Sequence, residues 1–246
     1  GASGPRIPQQ IADLSDHSML DLSDHSILSI RFCAKDGTFA PPSPIFRCMT
    51  RARPYDRNVA LDAALSLFWR KGYHTTSLKD LEAALNMRPG SIYAAFGSKE
   101  ALFAETLHIY ARRSREQLRQ ARVAKASPLA GLAAYVRALG CIQADAVPSR
   151  ACMLVKTLLE TPDDDTVLRR LTEEIMEGME AEFATAFRAA QTAGELPDGT
   201  DPERLACRLQ AEIFGRRAYA QRSDAQDKVA RLAEDIARDI ERLADR

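Results

Sequence analysis

The chain has 246 residues, of which 46% are hydrophobic and 28% charged, and its formal net charge at neutral pH is zero. That is enough chain for one large core or two small ones, and the absence of any apolar run of eighteen residues excludes a membrane-spanning helix. Five cysteines (Cys33, Cys48, Cys141, Cys152 and Cys207) form neither a CxxC pair nor an even framework. Without a secretory signal they point to free thiols in a reducing cytoplasm.

Residues 1–48 have poor periodicity and carry a tandem duplication, LSDHSMLD followed at once by LSDHSILS, then the proline-rich APPSPIF. Two origins compete for them: an upstream extension from a mis-assigned start, or a regulatory arm. Either predicts disorder. His17 and His25 fall inside this duplication and predict no metal site.

From Arg57 the pattern turns helical. Ala60, Ala64, Leu67 and Phe68 form a stripe at i, i+4, i+7 and i+8, ended by Gly72. Trp69 and Tyr73 read as packing residues. The stretch LKDLEAALNMRPGSIYAAFGSKEALF (78–103) then predicts two short helices, a tight turn and the start of a third helix. Leu78, Leu81 and Leu85 share one face, with Thr76 and Ser77 placed to cap it. Asn86 suits a left-handed turn residue, and Pro89 suits the first position of the next helix. Ile92 and Phe96 would anchor that helix and leave Arg88, Gly90, Ser91 and Tyr93 outside. This is the layout of a helix-turn-helix, whose second helix enters a DNA major groove. Gly97 breaks the chain, Ser98 caps a fourth helix running to about Ala124, and Lys99 lies in its first turn. The neutral total hides a basic segment, with 12 Lys+Arg against 7 Asp+Glu over 49–120. Residues 121–246 carry 18 against 22. A mixed solvated surface would allow the same numbers, but the asymmetry fits phosphate contact by the first segment.

The order and spacing of AALSLF, GY-x-TTS, the D-L pair at Asp80-Leu81, GSIY-x-x-F and SKEALF resemble the DNA-binding domain of the tetracycline-repressor (TetR) family of bacterial regulators. The resemblance implies an all-α homodimer, with an amino-terminal three-helix DNA-binding domain and a carboxy-terminal helical bundle for ligand and dimerisation. It implies binding to a palindromic double-stranded operator and release by a small-molecule effector, with no enzyme activity, cofactor or membrane partner. The expected boundaries are 49–108 and 109–246. It places phosphate contacts at Thr76, Ser77, Tyr93 and Lys99 and base contacts at Arg88, Gly90 and Ser91, with Lys79 and Pro89 completing the DNA-facing set. Hydroxyls and cations suit phosphates, whereas Arg can pair bidentately with guanine. The competing, less favoured role for Arg88 is a solvated surface charge. Two departures from the family pattern stand out. Arg88 replaces a small hydroxyl residue, and Ala95 replaces a His or Tyr that would supply one more phosphate contact.

Beyond Ser127-Pro128, helical segments are predicted at about 128–145, 149–160, 164–191, 202–221 and 225–244, broken by Pro and Gly. ACMLVKTLLE and FGRRAYAQRSDA extend the resemblance over most of 56–240, less specifically. By that resemblance, the central helices would enclose an effector among Phe103, Leu107, Tyr110, Tyr135, Cys141, Cys152, Met153, Met176, Met179, Phe183 and Phe187. Met and aromatic residues at this spacing also make ordinary core; as a site they favour an apolar or aromatic effector. The last two helices would pair in a dimer through Leu205, Leu209, Ile213 and Phe214, and through Val229, Leu232, Ile236, Ile240 and Leu243. A monomer core produces the same stripes.

Cys152 offers an alternative, thiol-based redox or electrophile sensing, with Arg150 and Lys156 close in sequence to lower its pKa. A small buried hydrophobe is the competing role. A ligand-independent DNA-binding adaptor is a further alternative. No HExxH, GxSxG, Walker or GxGxxG pattern occurs, and only His74 and His108 lie outside the leader, which argues against an enzyme.

Overall fold

The computed structural model describes residues 56–141, 147–161 and 166–245. The expected extension over 1–48 lies outside them. Every regular element among the described residues is helical: α1 (Arg57–Lys71), α2 (Leu78–Leu85), α3 (Pro89–Phe96), α4 (Lys99–Val123), α5 (Pro128–Gly140), α6 (Met153–Glu160), α7 (Thr166–Thr192), α8 (Pro202–Tyr219) and α9 (Gln226–Glu241), closed by a 3-10 turn at 242–245. No described helix is long and apolar enough to cross a membrane.

Local chemistry sets most of these boundaries. Asp56, Ser77, Ser98, Ser127 and Asp201 each accept a hydrogen bond from an otherwise orphan amide at the start of α1, α2, α4, α5 and α8. Pro89, Pro128 and Pro202 occupy first-turn positions, where a missing N–H costs nothing. Asn86 ends α2 in the left-handed conformation (φ 51°, ψ 43°), which turns the chain into α3. Gly97, at φ 78° and ψ −64°, makes the sharper reversal into α4, a conformation that a Cβ would strain.

Two bounds differ from the sequence pattern by four or more residues. The apolar period of α5 predicts a helix to 145, whereas the helix ends at Gly140 with Cys141 as its cap. Helix α6 starts at Met153 and not at 149. The Ser149 hydroxyl accepts a bond from the Ala151 amide at 3.2 Å, a local turn that competes with the helix.

Packing builds two apolar clusters. The first joins Leu61, Leu65 and Phe68 of α1 with Leu81, Leu85, Ile92 and Phe96 of α2 and α3. It continues through Leu102, Phe103 and Leu107 of α4 into Met153 and Leu154 of α6 and Ile175 and Met179 of α7. The second joins Leu118 at the end of α4 with α5, the later half of α7, α8 and α9. Helix α5 lies along α9, and α7 along α8. Each large apolar side chain so buried contributes about 1.5–3 kcal/mol. The first cluster therefore fuses the helix-turn-helix to α6 and α7.

Polar clasps reinforce the second cluster. Arg137 of α5 donates to Glu234 at 2.8 Å and to Glu241 at 2.6 Å, both on α9. Glu195, in the α7–α8 loop, accepts from the Leu129 amide in the first turn of α5 at 3.0 Å.

Candidate functional site

Helices α2 and α3 form a reader supported from below. Ile92 and Phe96 are buried, which rotates Gly90, Ser91 and Tyr93 outward; Tyr93 is 47% exposed. Arg88 is the residue before α3, its side chain makes no capping bond, and it is exposed. Pro89 is half-buried beneath it. Arg88 and the exposed Lys79 have no acidic partner among the described residues. An unneutralised cation and a phenol thus sit at the exposed start of α3, with a second such cation in the first turn of α2.

The base of the reader is tied by Asp80. Its carboxylate accepts from Lys71 Nζ and the Ser77 amide, both at 2.8 Å, while its own amide donates to Ser77 Oγ at 3.2 Å. Hydrogen bonds from Lys71 first, then Ser77, hold this carboxyl well below the usual carboxylate range. Lys71 is therefore paired with Asp80 at the surface. Thr76 departs from its expected phosphate role. It is 1% exposed, and its hydroxyl donates to the Gly72 carbonyl at 2.6 Å, bridging the end of α1 to the start of α2. Ser77 stays exposed. Lys99 is half-buried, with its ammonium 4.5 Å from the centre of the Tyr73 ring. Desolvation lowers its pKa, and Asp80 partly opposes that.

The central residues do not all converge as expected. Phe103 stacks edge-on against Phe68 with ring centres 4.9 Å apart, and lies 4.9 Å from Tyr73. It belongs with Leu107 to the core beneath the reader. Cys141 is exposed, and Met176 is half-buried at the α7–α8 contact, where its carbonyl accepts from Gln210 at 2.8 Å. Tyr110, Tyr135, Cys152, Met153, Met179, Phe183 and Phe187 are buried. Among these, Tyr135 and Phe183 pack with ring centres 6.0 Å apart.

The surroundings of Cys152 differ from the expectation. Arg150 donates to the Ala220 carbonyl at 3.2 Å, and Lys156 donates to the carbonyls of Arg70 (2.8 Å) and Trp69 (3.3 Å). Neither makes a hydrogen bond to the thiol. Instead the Tyr110 hydroxyl donates to Cys152 Sγ at 3.5 Å, and Arg217 donates to that same hydroxyl. Trp69 packs edge-on against Tyr110 at 5.1 Å and donates from Nε1 to the Ala151 carbonyl at 2.8 Å. A polar chain thus runs from α8 through α4 and the start of α6 to the end of α1.

At the α8–α9 surface the two expected stripes divide. Leu209, Ile213, Ile240 and Leu243 are buried within this chain, so they serve its own core. Leu205, Phe214, Val229 and Ile236 remain half-buried and Leu232 is 37% exposed. A shallow groove between the helices is lined by Leu205, Arg208, Glu212, Ile236 and Asp239.

With this geometry in view, comparison with known proteins is decisive. Residues 60–106 match the model of bacterial regulatory proteins of the tetR family, and 128–242 match a tetracyclin repressor-like carboxy-terminal domain. The HTH-type transcriptional repressor ComR of Escherichia coli (strain K12) is 30% identical over 189 residues, covering 75% of this chain and 89% of ComR. The chain belongs to the tetR family of bacterial regulatory proteins.

Solved structures agree with this assignment. The TetR family regulator CifR, a cysteine mutant complexed with 26-base-pair operator DNA, superposes with a TM-score of 0.65 at 30% identity. That match covers 78% of this chain and 98% of the CifR chain. A TetR-family regulator from Cytophaga hutchinsonii shares the fold at a TM-score of 0.68 and 23% identity, covering 75% and 92%. As a member of this family, the tetR-type chain is a transcriptional regulator and not an enzyme.

Sequence reasoning missed two groups in this tetR-family regulator. Arg216 is buried beside the second cluster, in phase with Leu209 and Ile213 at i+7 and i+3. An arginine on an apolar stripe was the available signal. The Trp69–Ala151 and Lys156–Arg70 bonds join residues more than eighty positions apart, which no local pattern reveals.

Proposed function

We propose that this regulator binds a palindromic operator as a homodimer, represses transcription there, and is released by a small effector held among α4 to α8. The observation that carries the reading is the start of α3. Arg88, Gly90, Ser91 and Tyr93 face solvent over the buried anchors Ile92 and Phe96, leaving an unobstructed helix end for a major groove. Lys79, Tyr93, Lys99 and the exposed Ser77 supply phosphate contacts, and Arg88 a base contact. The named functions of ComR, a repressor, and of CifR, complexed with operator DNA, support the same reading.

Two-fold pairing supplies the second half-site. Leu205, Leu232 and Ile236 retain apolar surface on adjoining faces of α8 and α9, suited to a four-helix contact between copies. Paired recognition helices about 34–36 Å apart fit successive major grooves. Effector binding near Tyr110 shifts α4 and α6, and the bonds from α6 to the end of α1 carry that shift toward the Lys71–Asp80–Ser77 tie under α2. A useful switch needs a differential affinity on the order of 1–3 kcal/mol between bound and released states.

The test is a gel shift with purified protein on DNA flanking its own gene, repeated across a salt series. The reading expects a sequence-specific complex at a palindrome that weakens steeply as salt rises, and two chains per site. Tyr93→Ala combined with Lys99→Ala should abolish it. No specific complex at any salt would reject the reading.

A further inference from the structure

Arg216 and Arg217, adjacent in the last turn of α8, are the charged groups that the fold draws toward the central tyrosines. Arg216 is 4% exposed. One of its nitrogens, Nη1, donates to the Leu139 carbonyl in the last turn of α5 at 3.2 Å. The other two, Nε and Nη2, are buried without a hydrogen-bond partner among the described residues. Arg217 is half-buried, donates to the Tyr110 hydroxyl, and lies 6.0 Å from the centre of the Trp69 ring. No carboxylate among the described residues pairs with either arginine.

A buried guanidinium with one carbonyl partner leaves most of its desolvation uncompensated, and a second guanidinium beside it adds repulsion. Both effects act on Arg216. Burial, then the charge of Arg217, lowers its pKa to about 10, so it is still cationic at neutral pH. Tyr135 lies close to both arginines, and burial pushes its pKa up to about 12. Burial raises that of Tyr110 as well. Two neutral hydroxyls therefore stand beside two cations, with no anion among the described residues to complete the set.

Nε and Nη2 lie on the same edge of a guanidinium. That edge presents two parallel N–H groups spaced to match the two oxygens of one carboxylate. Trp69 lies against Arg217, and Leu139, whose carbonyl meets Arg216, belongs to the second apolar cluster, so the remainder of a ligand would sit against apolar surface. We propose that Arg216 and Arg217 hold the charged end of the effector, which is a small organic carboxylate with an apolar or aromatic body. The proposal rests on the effector-responsive reading above and deepens it.

Trp69 is the only tryptophan in the chain, and its contact with Arg217 makes its fluorescence a local reporter. The full-length protein would be titrated with sodium acetate, hexanoate and benzoate at constant ionic strength. Each acid would be compared with its uncharged amide. The proposal expects saturable quenching or a spectral shift with at least one carboxylate, at least tenfold tighter than with the matching amide. Arg216→Met and Arg216→Lys should each weaken that binding at least tenfold, the lysine because it lacks the parallel donors. The same carboxylate should raise the melting temperature of wild type and not of Arg216→Met. Arg217→Met, which leaves the Leu139 contact in place, is a second variant expected to lose affinity if Arg216→Met does not fold. Equal affinity for amides, undiminished affinity in both methionine variants, or no saturable response to any of the three acids would overturn the proposal. The titration contains no DNA. A carboxylate that binds selectively but does not release operator would therefore defeat the effector reading and leave the anion site standing.

Discussion

Lys156→Met isolates the junction between α6 and α1. The ammonium donates to the Arg70 carbonyl at 2.8 Å and the Trp69 carbonyl at 3.3 Å, both in the last turn of α1. Methionine keeps the packing of the stem and removes the charge and the donors. A charge-assisted hydrogen bond contributes about 1.5–3 kcal/mol when well shielded, and a cation at a helix carboxy terminus about 0.3–1 kcal/mol. The Lys156 side chain is 24% exposed, so water can replace part of what is lost. The expected loss is about 1–2 kcal/mol. In urea denaturation at fixed protein concentration, the midpoint should fall without a change of slope, and the melting temperature should drop by roughly 2–8 °C. In the operator assay, Lys156→Met should also show a smaller effector-induced loss of affinity than wild type. A stability change under about 0.3 kcal/mol with wild-type effector release would refute the idea that this junction joins the central helices to the reader.

Other expectations follow from the same geometry. Ser77→Ala removes the acceptor for the Asp80 amide and should cost about 1 kcal/mol, read as a lower urea midpoint. Operator affinity should fall with it, because α2 supports α3. On the acid side, hydrogen bonds from Arg137 and then Arg238 lower the Glu234 pKa from 4.5 to about 2. A depressed carboxylate pKa stabilises the fold above pH 4.5, and the contribution is lost as pH falls toward 2. Thermal stability should decline over that window, and Arg137→Met, which removes the largest cause, should flatten the decline. A parallel decline in wild type and variant would reject this assignment.

Much of the reader was legible because its determinants are local. Residue type and spacing placed a hydroxyl cap at Thr76 or Ser77, the left-handed Asn86, Pro89 at the start of α3 and the Ile92–Phe96 anchor; the cap is Ser77, and the other three are seen. Thr76 was misjudged because a hydroxyl before a helix can cap, meet phosphate or turn inward. Only the position of the Gly72 carbonyl selects the last. The central site was less legible, since Phe103 and Tyr110 carry the same period on α4 while one meets Phe68 and the other meets Arg217. Proximity in sequence also misled at Cys152. Arg150 and Lys156 point to carbonyls of α8–α9 and α1, and the cation in the thiol's neighbourhood comes from α8 by way of Tyr110. The α8–α9 stripes could not be divided between core and surface from periodicity, because burial of Leu209 and Ile240 depends on how α7 and α5 lie against them.

The most direct test of the account concerns Arg88. Fluorescence anisotropy would compare wild type and Arg88→Ala on the operator and on versions with each base pair replaced symmetrically. A base-reading Arg88 predicts a loss of about 1–3 kcal/mol per contact, together with loss of discrimination at one symmetric pair of positions. Equal affinity and unchanged discrimination in Arg88→Ala would contradict the placement of α3 in the major groove with Arg88 at the bases.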